Sequence, residues 1–178
     1  MGVPMLFPQL VGMTIALIPV ILVETAIARH VVPLTSGRVF KGVGLANIAS
    51  TFLGIPAAWT AMFTLNIVTT GTDPHGLESA TAIFKSVVLQ ASWLVPTGNE
   101  DEQNLVWMIP AASLVLLVPS FFISVFAEKL VLRRTWPDVQ REKVRKTVWL
   151  LNGVSYAALV AFATYRLASS LETVVPLP

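Results

Sequence analysis

Four stretches of this chain carry no charged side chain at all: residues 1–23, 42–72, 103–127 and 147–165. A bilayer's hydrocarbon core of about 30 Å needs roughly 20 mostly apolar residues as α-helix. Each run is near or above that length, so the sequence predicts four transmembrane helices. The composition agrees, since 12% of the residues are charged where soluble domains carry about 25%. Four spans take up about 90 residues, which leaves no room for a separate soluble domain. The expectation is one integral membrane domain over residues 1–178, an all-α, four-helix bundle.

The helices are expected at about 5–29, 42–67, 104–133 and 145–168. Pro4 and Pro8 fall at the start of the first, where proline is tolerated, while Pro19, Pro56, Pro110 and Pro119 fall inside spans and should bend them. Residues 69–76, Thr-Thr-Gly-Thr-Asp-Pro-His-Gly, have turn chemistry. An amphipathic helix is expected over about 77–95, with Leu77, Ala80, Ile83, Phe84, Val87, Val88, Ala91 and Leu94 on its apolar face. Glu78, Ser79, Lys85, Ser86 and Gln90 lie away from much of that face, which suits a helix on the outer membrane surface. Trp107, Trp136 and Trp149 fall near helix ends and suggest an interfacial aromatic belt.

Charge sets the expected orientation. Ten of the twelve Lys and Arg residues fall in the first and third loops, from Arg29 to Lys41 and from Lys129 to Lys146. The middle loop holds only Lys85 against five acids, including Glu100-Asp101-Glu102, read as a solvated acidic turn. Cytoplasmic loops are enriched in Lys and Arg, so loops one and three should be cytoplasmic and both termini outside, as in a prokaryotic cytoplasmic membrane. Glu24 is the first charged residue, so no basic segment precedes the first helix as in a signal peptide, and that helix is expected to be retained.

One polar pattern occurs twice. Glu24 and Arg29 are followed by Arg38, Lys41, Asn47 and Ser50, and Glu128 and Arg133 by Lys143, Lys146, Asn152 and Ser155. The offset is 104 residues for Glu and Arg and 105 after the loop, as one extra loop residue would produce. The reading is two pseudo-repeated helical hairpins entering the membrane from the same side. Glu24 should lie about 7.5 Å deeper than Arg29 and Asn47 about 9 Å deeper than Lys41, so they meet across their hairpin. Ser50 follows Asn47 one helical turn later on the same face. Glu128, Asn152 and Ser155 should repeat the arrangement. Such clusters serve as interhelical hydrogen-bond glue, or as two equivalent sites for a cation, a proton or a lipid headgroup.

Small residues form two stripes at four-residue spacing: Ala46, Ser50, Gly54 and Ala58 in the second helix, Gly153, Ala157 and Ala161 in the fourth. Such stripes let helix backbones approach closely, and both are expected to be packing interfaces, within the chain or against another subunit.

The remaining chemistry is sparse. There is no cysteine, which removes disulfides, thiol redox chemistry and Cys–zinc sites. His30 and His75 are the only histidines and fall on opposite sides of the expected topology. No metal or cofactor is expected, and no hydrolase triad, HExxH, P-loop or dinucleotide fingerprint is present. Basic residues do not interleave with aromatics as in a nucleic-acid surface. Partners are therefore expected to be membrane lipids and other membrane subunits or further copies of this chain. The expected function is a non-catalytic multi-pass subunit that assembles with or stabilises a larger membrane complex; the alternative is a small oligomeric transporter or channel using Glu24 and Glu128.

Overall fold

A computed structural model describes residues 6–70, 79–89 and 99–174. Among the described residues five helices follow in order: α1 (Leu6–Val31), α2 (Ser36–Thr70), α3 (Ala80–Val88), α4 (Asn99–Thr135) and α5 (Arg141–Val174). Four of them, α1, α2, α4 and α5, are long and apolar enough to cross a membrane. Contacts divide the chain into two compact units, one of Gly12–Ala58 with Pro119–Leu159, the other of Met1–Val11, Trp59–Val118 and Val160–Pro178.

The first unit consists of two helical hairpins with short connections. Residues 32–35 join α1 to α2, and residues 136–140 join α4 to α5. Pro33 has no N–H to extend α1, and the chain reverses through a tight turn in which the Leu34 N–H donates to Val32 O at 2.9 Å. Pro137 ends α4 in the same way, within a turn closed by the Val139 N–H donating to Trp136 O at 3.1 Å. Arg29 and His30 in the last turn of α1, and Arg133 and Arg134 in that of α4, sit where helix dipoles favour cations. Arg38, at the start of α2, and Asp138, in the second connection, tie the two hairpins together through an exposed ion pair at 2.8 Å.

The first connection is shorter than the charge pattern implies. Arg38 and Lys41 lie in the opening turns of α2 rather than in a loop, because a helix end tolerates charge at the interface once Pro33 has ended the preceding helix. Glu100-Asp101-Glu102 likewise fall inside α4 as helical backbone and not in a turn. Three acids in a first helical turn suit its positive dipole end.

This unit's core contains Ala28, Val32, Val39, Val43, Ala46, Leu132, Trp136, Val144, Val148 and Leu151. Its outside is also apolar: Leu22, Phe40, Phe52, Leu53, Phe122, Phe126 and Trp149 are exposed. Away from the helix ends Glu24, Asn47, Ser50, Glu128, Asn152 and Ser155 are turned inward, as suits a surface apolar enough to meet lipid.

Trp136 departs from the expected aromatic belt. It is 1% exposed, and its indole N–H donates to Arg38 O at 3.3 Å. Gly42 makes the place for it, since a Cβ there would lie 2.7 Å from Trp136 Cε2 and closer still to Nε1. Trp149 is exposed and meets Phe121 edge-to-face at 5.6 Å.

In the second unit Ser79 caps α3, its hydroxyl accepting from the Ala82 N–H at 3.2 Å. Val87 packs with Met108 and Ala112 of α4, joined by Ile83, Val88, Trp107 and Val115. The buried face is rotated from the one expected: Ser86 is fully buried and Phe84 is 57% exposed. Close helix contact selects small side chains, whatever their polarity. Of the expected amphipathic helix, residues 77, 78 and 90–95 lie outside the described residues, as do most of the expected turn and His75.

Candidate functional site: a ring of buried polar side chains

In the first unit, Glu24, Asn47, Ser50, Glu128, Asn152 and Ser155 are all buried, and they meet in one network. Asn47 Nδ2 donates to Glu24 Oε2 at 2.6 Å. Asn152 Nδ2 donates to Glu128 Oε2, also at 2.6 Å. Each amide also donates to the backbone one turn back, Asn47 to Val43 O and Asn152 to Val148 O, both at 3.1 Å. These two bonds place both amide hydrogens and hold the side chain against its own helix.

The serines cross over. Ser50 Oγ donates to Glu128 Oε1 at 3.0 Å, and Ser155 Oγ donates to Glu24 Oε1 at 2.6 Å. Each carboxylate thus takes an amide from its own hairpin and a hydroxyl from the other. The depth argument accounts for the pairing of Glu24 with Asn47 and of Glu128 with Asn152. It assigns the serines to the wrong hairpin, because a residue one turn beyond Asn projects past its own hairpin partner towards the facing helix pair. The result is a single ring that ties α1, α2, α4 and α5 together, in place of two separate clusters.

Among the described residues, no bond of the ring comes from Lys, Arg or His. Lys129, next to Glu128 in sequence, turns to the Phe126 ring, with Nζ at 5.4 Å from its centroid. The carboxylates therefore rest on neutral donors, two for each. Asn152 adds an asymmetry: its Oδ1 is buried without a hydrogen-bond partner.

A tyrosine that the sequence pattern does not single out lies beside these helices. Tyr156 follows Ser155, its hydroxyl is 2.9 Å from Ser124 Oγ, and Phe121 meets its ring edge-to-face at 5.2 Å. Only its place inside a charge-free run marks it in the sequence.

The two small-residue stripes part company. Ala46, Gly54 and Ala58 are buried, and a Cβ on Gly54 would be in ordinary contact with Ile123 and Ser124 at 3.6 and 3.8 Å. Gly153, Ala157 and Ala161 are exposed, and nothing lies within 4 Å of a Cβ built on Gly153. Among the described residues, packing within the chain therefore uses the α2 stripe and not the α5 stripe.

Among the described residues no three of His, Cys, Asp and Glu gather at metal-ligand range. His30 is exposed at the end of α1, and the side chains of Glu100, Asp101 and Glu102 lie outside the described residues. Compared with protein-family models, with curated proteins and with solved structures, the chain matches none of them.

Proposed function

We propose that this chain is a non-catalytic, multi-pass membrane subunit that assembles with, or stabilises, a larger membrane protein complex. The observation that carries the reading is the contrast between a closed interior and an open face. The polar side chains between the helices bond to one another, which suits a rigid structural element. The Gly153–Ala157–Ala161 stripe is turned outward within a helix that can cross the membrane, and small-residue stripes of this kind support close helix–helix contact.

Three finer features belong to the same proposal. The two hairpins form a parallel repeat, supported by the 104- and 105-residue offsets and by matched Asn–Glu bonds of 2.6 Å in both halves. The two hairpin turns face the cytoplasm with both termini outside, supported by the Lys and Arg residues on the helix ends that flank them. The α3 helix lies at the outer surface, supported by its amphipathic sequence.

The test is the native mass of the assembly after extraction in mild detergent. Membrane proteins co-purifying at fixed stoichiometry, and lost in Gly153→Leu, support the subunit reading. A lone chain, unchanged by that substitution, overturns it. The second reading is a small oligomeric transporter or channel, favoured by two carboxylates inside membrane-spanning segments, where ionisable groups commonly mark ion pathways. A purified homo-oligomer that moves ions into liposomes, and stops when Glu24 and Glu128 are both changed to Gln, supports that reading instead.

A further inference from the structure

We propose that the polar ring is a binding site for one hard metal cation, held by oxygen atoms of Glu24, Glu128 and Asn152, with Ca2+ the ion whose charge matches. The argument rests on a count of donors and acceptors. Each carboxylate oxygen accepts one hydrogen bond, from Asn47, Ser155, Asn152 or Ser50. A carboxylate oxygen has two lone-pair positions, so every one of the four retains a free one. Both hydrogens of each amide are committed, one to a carboxylate and one to the preceding turn. Each serine has a single hydrogen, for which a carboxylate and a backbone carbonyl compete: Ser50 Oγ also lies 3.1 Å from Asn47 O, and Ser155 Oγ 3.0 Å from Leu151 O. The ring has acceptors to spare and no donor left.

Asn152 adds the observation that points to a ligand. The residue is 1% exposed, and its Oδ1 is buried with nothing to accept from. Burying a polar atom without a partner is costly, and so is burying two carboxylates on neutral donors. One cation answers both needs. It sits on lone pairs that the hydrogen bonds leave free, and it uses the amide oxygen that they leave over.

The donor set fixes the class of ion. Carboxylate, amide carbonyl and hydroxyl oxygens are hard ligands, and neither sulfur nor imidazole is present, so soft and borderline transition metals are poorly served. Ca2+ accepts six to eight such oxygens in irregular geometry, whereas Mg2+ demands a near-octahedral shell and keeps several waters. A monovalent ion would leave one of the two negative charges uncompensated. A single proton would likewise neutralise one carboxyl and leave the other charge uncompensated.

The experiment uses the full chain in detergent. Metal content and ion binding are measured by calorimetry, and unfolding is followed by intrinsic tryptophan fluorescence with Ca2+, Na+, Mg2+ or a chelator present. The expected result is one Ca2+ per chain and a melting temperature that rises with Ca2+ and falls with the chelator. The Glu24→Gln/Glu128→Gln variant should bind no ion and melt at the same temperature in both. Asn152→Ala keeps both charges and should weaken binding about 10-fold. Because the double variant is near-isosteric and loses the buried charges, it also reports on folding apart from binding. A folded wild-type protein that takes up no metal overturns the proposal. So does an ion response that survives the double variant. A melting temperature that follows pH alone, with no metal bound, shows that protons neutralise the ring and overturns it too.

Discussion

The two hairpins of the first unit carry the same polar triplet at almost the same spacing, yet they are built differently. On the α1–α2 side the small-residue stripe of α2 is buried; on the α4–α5 side the stripe of α5 faces outward. On one side Gly42 opens a seat for Trp136, while the corresponding small residue of the other hairpin's second helix is a buried threonine, Thr147. The shared bonds differ too, with Ser155 at 2.6 Å from Glu24 and Ser50 at 3.0 Å from Glu128. Inside a membrane, apolarity does not distinguish buried from exposed faces, because lipid is as apolar as a protein core. Side-chain size and hydrogen-bond partners decide instead, and these differ between the halves.

The largest expected effect is at the seat of Trp136. Gly42→Leu pushes side-chain atoms into a buried indole and should destabilise the chain by about 3 kcal/mol, read as a fall in melting temperature in detergent. If it is as well tolerated as Gly153→Leu, the contrast between the two halves fails.

Removing a carboxylate comes next. Glu24→Ala and Glu128→Ala each strand one amide hydrogen, of Asn47 or Asn152, while the serine hydroxyl turns to its backbone carbonyl, at roughly 2 kcal/mol in total. Similar losses from the two variants show that the ring is energetically symmetric. A large loss from one alone shows that a single hairpin carries it.

The serines sharpen the same comparison on a smaller scale. Interhelical hydrogen bonds in membranes contribute about 0.6 kcal/mol on average and up to about 1.7. Ser155→Ala should approach the upper figure and Ser50→Ala the average, given their bond lengths. The reversed order in a thermal or steric-trapping assay would break the link between length and strength.

The smallest effect on the chain itself belongs to the α5 stripe. Gly153→Leu meets open space and should shift the stability of the isolated chain by no more than about 0.5 kcal/mol. Gly54→Leu, on the buried α2 stripe, should cost about 1–3 kcal/mol by overpacking against Ile123 and Ser124. Equal effects at the two glycines would mean that the stripes are alike after all.

Much of the site was legible before any coordinates. The depth of Glu24 below Arg29 and of Asn47 below Lys41 follows from helix rise alone, and it accounts for the bond between Glu24 and Asn47. The serine crossing was not legible, because helix periodicity says which residues share a face but not which helix that face meets. Trp136 was misplaced for a related reason. A tryptophan at a helix end suits the interface unless a glycine on another helix makes room, and the 94-residue separation of Gly42 and Trp136 hides that pairing. The rotated face of α3 repeats the point: Ser86 is inward, where helices packed closely favour a small side chain, and Phe84 is exposed.

What the sequence determined by itself was four helices long and apolar enough to cross a membrane. Charge is too costly in hydrocarbon to be placed freely, and its absence over four long runs is what makes them so. The two carboxylates at the edges of those runs were equally plain, as groups that had to find partners. Only the tertiary structure decided that they share one ring, that Ser50 and Ser155 exchange hairpins, and that one of two similar stripes is left open. Those outcomes depend on which helix faces which, and side-chain size and hydrogen-bond direction set that arrangement where hydropathy is uniform.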